Sequence, residues 1–405
     1  MAVVPTKDQK YLMPLKPTEV LYCLTQKQAE FQDFNQTSYE LWQRYRQALG
    51  AVSRQTAMAL FQQLKPYRSP GAHPLEPWSD SDHWVIPAHL TWPSREHSLQ
   101  WVRDRLTGIT TFAVDGSQIF PSKEVSIPVA LVQVGWFENP HLPTGTYEKD
   151  VRLEVLSPSE LQQCSAQRPL DRQVNMHRFR MEIERLIEFM AIHPQCSDCL
   201  VFLDGSLVAT FAEVFDADCR AFYAHWLVEL LRASERYRVP LVAYIDSSHA
   251  CDLVQVLQHV QDLPEALSLQ DAALVGAEMA WGDRTPLFWC DRAGERCSQG
   301  ILQDYQEQAQ CVAFTYLKTC DRPPARLEMP RWIYDAGLLE FVLNCVRAEV
   351  IIGGGYPYVI ETADQVAVLQ TQDRQLFYRL LQQWAEDADL NLRFSRKMAS
   401  KVFRR

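Results

Sequence analysis

The chain has 405 residues, 47% of them hydrophobic and 22% charged, which supports a large core and excludes a mainly disordered chain. A formal net charge of −10 excludes a surface coated in positive potential, so a polyanion would have to be met by local cations or by metal. No apolar run approaches the roughly 18 residues of a membrane span and the first residues carry no secretory pattern, so the expected setting is cytoplasmic, without membrane contact.

Residues 1–65 read as an N-terminal helical extension. Phe34, Leu41, Trp42, Tyr45, Ala48 and Leu49 recur at three-to-four spacing and form a face that must dock on something. Pro66, Pro70, Gly71, Pro74 and Pro77 follow among Ser and Asp, so 66–100 reads as a Pro-rich linker. The main domain is expected over 101–390.

Within it, 109–114 is a β-prone run ending in Asp115-Gly116-Ser117, 126–137 is a second strand and 139–146 a loop. Residues 172–192 carry a helical stripe of Met176, Phe179, Ile183, Leu186, Ile187 and Met190. Strand 200–203 again ends in Asp-Gly-Ser, at Asp204-Gly205-Ser206, and helix 219–237 leads to strand 240–245. Such alternation indicates an α/β sheet that is at least partly parallel. Further on, 314–317 and 350–352 read as strands, 336–345 and 373–388 as helices, and Gly353-Gly354-Gly355-Tyr356-Pro357 as a turn.

The tail, 391–405, contains Arg393, Arg396, Lys397, Lys401, Arg404 and Arg405 and no acid from Arg393 onward. It reads either as a solvated amphipathic end helix or as a contact for DNA or an ATPase. The 11 cysteines are odd in number and scattered, so reduced thiols are expected. Cys196-x-x-Cys199 has no second pair, and packing is the better reading than zinc.

The repeated strand-Asp-Gly-Ser unit is the informative feature. An Asp at the carboxyl end of a strand points into the crevice where open α/β sheets bind ligands, although Asp-Gly is also a common turn dipeptide. Between the two units lies a helix with Glu182, Glu184 and Glu188. Glu182 and Glu184 flank the Ile183 face from opposite sides, so one can face the crevice while the other faces solvent. Two carboxylates about 4 Å apart repel by roughly 4 kcal/mol at an effective dielectric of 20. Such a cluster needs protons or cations, and all-oxygen donors select Mg²⁺ or Mn²⁺ over zinc. One or two such ions can activate water and stabilise the leaving oxygen of a phosphodiester.

Asp246 and His249 follow a strand end and could border the site, or simply make a turn. The triple glycine lacks the Lys-Ser/Thr of a phosphate loop, and neither His-Glu-x-x-His nor a Gly-x-Ser-x-Gly nucleophile elbow is present.

The ordered set FAVDGSQI (112–119), FRMEIERL (179–186), VFLDGSL (201–207), LVAYIDSS (241–248), DRTPLF (283–288) and RLEMPRWI…GGGYPYVIETADQVAV (326–368) resembles the NurA family of nucleases over about residues 105–370. The resemblance implies an RNase H-like mixed α/β sheet flanked by helices. It also implies a homodimer that cuts DNA with Mn²⁺ or Mg²⁺ and a HerA-type hexameric ATPase as partner in end resection and double-strand break repair. It puts Asp115, Glu182 and Asp204 on metal-binding acidic positions, with Glu184 the alternative to Glu182. The family usually has an Ala-His pair after Gly-Tyr-Pro; here the pair is Ala363-Asp364, and Asp364 can still ligate Mn²⁺ or Mg²⁺ as a fourth carboxylate in its place. An Asp cannot act as a cationic acid, which keeps a second reading open, a non-catalytic nuclease-like subunit that binds DNA or the ATPase. A third, weaker reading is an ATP phosphotransferase of the actin/sugar-kinase type, which also places Asp-Gly turns after two strands.

Overall fold

The computed structural model describes residues 15–78, 82–162, 169–266, 268–292 and 300–396. Its strands are β1 (Gly71–Pro74), β2 (Thr110–Ile119), β3 (Ala130–Asn139), β4 (Glu148–Leu156), β5 (Cys199–Asp204), β6 (Leu241–Ile245), β7 (Phe288–Asp291), β8 (Val312–Leu317) and β9 (Ala325–Pro330). They form one mixed sheet in the order β1-β7-β8-β9-β6-β5-β2-β3-β4.

β2, β3 and β4 make an antiparallel meander, whereas β5 runs parallel to β2 and β6 parallel to β5. Parallel neighbours need a crossover, and helix Ala217–Tyr237 supplies it between β5 and β6. Counted from β2, these five strands lie in the order third, second, first, fourth, fifth with the second antiparallel. This is the RNase H-like arrangement. β9, β8, β7 and β1 extend it as antiparallel neighbours.

Alternate residues of each strand feed two cores, one per face. Phe112 and Val114 pack with Ile183, Leu186 and Phe189 of helix Leu170–Ile192, and Phe112 stacks on Phe189 at 4.1 Å between ring centres. Ala113, Leu200 and Phe202 face the other way, onto helices Leu339–Ile352 and Tyr358–Ala367. Asp115 shares the Ala113 parity and Asp204 the Phe202 parity, so both carboxylates belong to this second face. Among the described residues no helix is long and apolar enough to cross a membrane.

Several elements depart from what the sequence suggested. The stretch read as a linker carries β1, pairs with β7 and buries Ala72 and His73, and Trp84 is fully enclosed nearby. Its prolines are tolerated because β1 is an edge strand. Residues 350–352 are the end of helix Leu339–Ile352, not a strand: Val342, Val346 and Val350 recur four apart on one buried face, and that burial outweighs β-branched propensity. β4, β7 and β9 carry too much charge or are too short to stand out by pattern. Cys196 and Cys199 are joined in a disulfide and are not free thiols. Of the N-terminal helices Pro17–Gln26 and Gln28–Ser53, the second half of the latter docks, burying Tyr45, Ala48, Leu49 and Val52 with Leu41 and Trp42 packed against the core, while Phe34 stays exposed. Lys397, Lys401, Arg404 and Arg405 lie outside the described residues.

Candidate functional site

β2 and β5 are paired in parallel through Ala113 and Phe202. Two residues further along each strand, just past the last paired position, stand Asp115 and Asp204. Register thus places the two acids at corresponding points on neighbouring strands, and Glu182 feels the charge of both.

The two Asp-Gly-Ser units achieve this differently. β2 does not turn at Gly116; it runs on to Ile119 with Asp115 opposite Gly135. Gly116 is needed because helix Leu170–Ile192 presses on it: a Cβ there would collide with Glu182 Oε1 and come within 2.8 Å of Arg178 Cγ. At the second unit the strand does end, and Gly205 adopts a φ of +126° that other residues rarely take. The serines act as fasteners. Ser117 Oγ donates to Ala367 O at 2.5 Å and accepts from Leu369 N, which pins the end of the helix carrying Asp364. Gly135 leaves room for the same helix end, since a Cβ would meet the Ala367 backbone at 2.7 Å. At the start of that helix, Val359 N donates to the buried Glu349, which also accepts from Thr111 Oγ1.

Ser206 Oγ donates to Glu328 Oε2 at 2.7 Å, and Leu207 N donates to the same oxygen at 2.8 Å. Glu328 is fully buried and its other oxygen accepts from Arg326 Nε. Arg326 reaches Asp252, and Arg292 bridges Asp252 to Thr210 Oγ1. Tyr305 accepts from Ala209 N and donates to Leu207 O. The loop after Asp204 is therefore tied down by one buried network of two acids and two arginines. Nothing in the sequence pattern marked these partners, because Ser206 and Glu328 are 122 residues apart.

Glu182 turns toward Asp115 and Asp204, whereas Glu184 turns outward to Arg180. Asp364 lies against Asp115. The structure thus brings Asp115, Glu182, Asp204 and Asp364 to one place. Asp246, at the end of β6, borders it on the Asp204 side, and His249 pairs elsewhere, with Gln270. The sequence missed Tyr356 as a separate member: its hydroxyl donates to Asp204 Oδ1 at 2.8 Å and its ring packs edge-on against Tyr244. It missed Arg178 as well, whose Nη1 stands 3.0 Å from Glu182 Oε1 and donates to Gly116 O.

Charge is under strain here. Loss of hydration is the main force raising Asp115 to about 6, and Asp364 adds to it by its charge and by a shared hydrogen bond. Glu182 is pushed up to about 7 by burial and by Asp115 and Asp204, against the pull of Arg178. Asp204, the most open of the three, is raised mainly by desolvation of its inner side and further by Asp364 and Asp246, while the Tyr356 hydroxyl opposes the rise.

A site with several raised carboxylate pKa values and one resident arginine is short of positive charge. Its donors are all oxygen, and Glu182 Oε1 is buried without a hydrogen bond. These features fit a hard divalent cation. Among the described residues no three of these carboxylates have oxygens all within 4.8 Å of each other, so the cluster is wider than a closed cage. Among the described residues the group that meets that spacing is Cys196, Asp198 and Cys199, where the disulfide removes both thiolates.

The pKa values carry a stability consequence. A carboxyl raised on folding favours the folded state while protonated, and this contribution is lost as pH rises through the folded value. The protein without divalent ion is therefore expected to melt at a lower temperature at pH 8 than at pH 5. Added Mn²⁺ should raise the melting temperature more at pH 8 than at pH 5. Differential scanning fluorimetry at both values checks this, and an equal Mn²⁺ effect at the two would contradict it.

Residues 109–369 match the family model described as NurA domain. Comparison with curated proteins gave no match. Among solved structures, the catalytic domain of human Endonuclease V is similar at 13% identity over 74% of this chain and 92% of that chain, with a TM-score of 0.32. So distant a likeness adds nothing to the assignment.

Proposed function

Because the chain belongs to the NurA family, a family of nuclease type, we propose that it is a divalent-metal-dependent deoxyribonuclease whose reaction centre is Asp115, Glu182, Asp204 and Asp364. The observation that carries the reading is the meeting of four carboxylates from β2, β5 and two helices, three of them with pKa values raised by burial and mutual repulsion. Mn²⁺ or Mg²⁺ held there would activate water and offset charge on the phosphodiester.

The protein's own side chains do the rest. Asp115 and Asp204 offer oxygens from adjacent strands, and Asp364 and Glu182 close the cluster from the two sheet faces. Tyr356 fixes the direction of Asp204. The Glu328 network keeps the following loop from drifting. DNA as substrate, a HerA-type hexameric ATPase, a homodimer and a place in end resection and break repair belong to the same proposal, as does a division into a helical extension, a nuclease domain and a basic tail. Asp364 and the width of the cluster favour one rival, a non-catalytic subunit that retains the fold and binds DNA or the ATPase.

The test is cleavage of end-labelled single- and double-stranded DNA by the full chain with Mn²⁺, with Mg²⁺ and with EDTA. Ion-dependent products support the enzyme; binding of DNA without any product under all three conditions selects the non-catalytic subunit. Replacing Tyr356 by Phe removes one hydrogen bond to a charged group, worth about 1.5–3 kcal/mol. The expected result is a loss of about tenfold in rate, with the acid limb of the pH profile moved upward because Asp204 loses the contact that lowers its pKa. An unchanged profile would remove Tyr356 from the site.

A further inference from the structure

Arg178 is the cation inside the acidic cluster, and its contacts are unlike those of a settled ion pair. Its Nη1 lies 3.0 Å from Glu182 Oε1, yet the hydrogen bond from that nitrogen goes to Gly116 O. Arg178 Nε is buried without a hydrogen-bond partner, and Glu182 Oε1 likewise has none. A guanidinium carries five N–H donors, so among the described residues most of this group's capacity is unspent. Its side chain is 30% exposed against 13% for Glu182, which places it at the solvent boundary of the cluster. Helix Leu170–Ile192 holds its base in place, while the long stem lets the charged end move.

A divalent ion taken up by Asp115 and Glu182 would stand next to this guanidinium and repel it. With Arg178 Nη1 3.0 Å from Glu182 Oε1, an ion ligated through that oxygen would meet the guanidinium charge at close range. The incoming phosphate of a nucleic acid is the complementary partner for a displaced guanidinium, which grips phosphate oxygens in a fixed fork. An acidic chain that acts on a polyanion has a particular need for such a group beside its carboxylates.

Resting on the reading of this site as a divalent-ion centre, we propose that Arg178 exchanges partners: it neutralises Glu182 while the site lacks a divalent ion, and contacts the substrate phosphate once the ion is seated. Arg178 thereby competes with the ion and sets its affinity.

The test measures Mn²⁺ binding to the full chain by the loss of the free-ion electron paramagnetic resonance signal, in wild type, Arg178→Gln and Arg178→Lys, each checked by its melting curve. The expected result is about tenfold tighter Mn²⁺ binding in Arg178→Gln and near wild-type binding in Arg178→Lys, which keeps the charge. At saturating Mn²⁺, KM for DNA should rise severalfold in Arg178→Gln with a smaller change in kcat. Equal Mn²⁺ affinity in wild type and Arg178→Gln would overturn the proposal, as would equal shifts in both variants, since that would trace to the Gly116 contact and not to charge. Tighter ion binding with an unchanged KM would overturn the exchange to substrate. Wild type that takes up no Mn²⁺, like an Asp115→Asn, Asp204→Asn control, would mean that the ion-centre reading itself has failed.

Discussion

Replacing Asp115 and Asp204 together by Asn is expected to lower metal-dependent DNA cleavage by at least about a thousandfold, because the several kcal/mol of charge stabilisation that a bound ion supplies is lost with its ligands. Asn keeps the shape and can still accept the hydrogen bond from Tyr356. Folding should not suffer. Both carboxylates have raised pKa values, so their ionised forms oppose folding, and removing them relieves repulsion with Glu182 and Asp364. In EDTA at pH 8 the double variant is expected to melt at or above the wild-type temperature. Stability and activity thus move in opposite directions, as expected where a site holds charges that the fold alone would not select. Single-turnover cleavage paired with melting curves measures both; undiminished cleavage would place the chemistry elsewhere.

The second large effect concerns stability. Arg326 is 1% exposed and donates to Glu328, Asp252 and the Tyr316 hydroxyl, with its guanidinium carbon 3.8 Å from the centre of the Phe314 ring. Asp271 nearby is raised to about 7, mainly by burial and then by the charge of Asp252, and accepts from Leu253 N, Val254 N and the Tyr316 hydroxyl. Arg326→Met leaves Glu328 without its cation and costs Asp252 one of two. Breaking a buried pair in this way costs about 3–5 kcal/mol. The expected readout is a lower urea midpoint with an unchanged slope. Because Glu328 also holds Ser206 and Leu207, whatever folds should bind Mn²⁺ more weakly than wild type. A midpoint within error of wild type would show that the network adds nothing to the fold.

Much of the site was legible because its main residues are local events. An apolar run that ends in Asp names Asp115 and Asp204 without any tertiary knowledge. A helix with Glu on both sides of Ile183 limits the third acid to two positions. The choice between Glu182 and Glu184 needed the direction from which the helix meets Gly116, which depends on sheet packing and not on helical period. The Gly116 case is instructive: the dipeptide suggested a turn, but the glycine serves a close approach between strand and helix. Tyr356 and Glu328 stayed hidden because their partners are 152 and 122 residues away, and neither has a periodic pattern that marks it as polar and inward.

From composition and pattern alone came the α/β class, the order of the central strands and helices, the two acids that precede Gly-Ser and the family likeness. These depend on short-range regularities: alternation along a strand, the helical repeat, and the turn chemistry of glycine. Only the folded chain decided that the proline-rich stretch completes the sheet, that residues 350–352 are helical, that Cys196 and Cys199 are linked, and that a buried ion network braces the Asp204 loop. Each of these is settled by what a segment meets across the fold, and burial against a distant partner is worth more than the local preference it overrides.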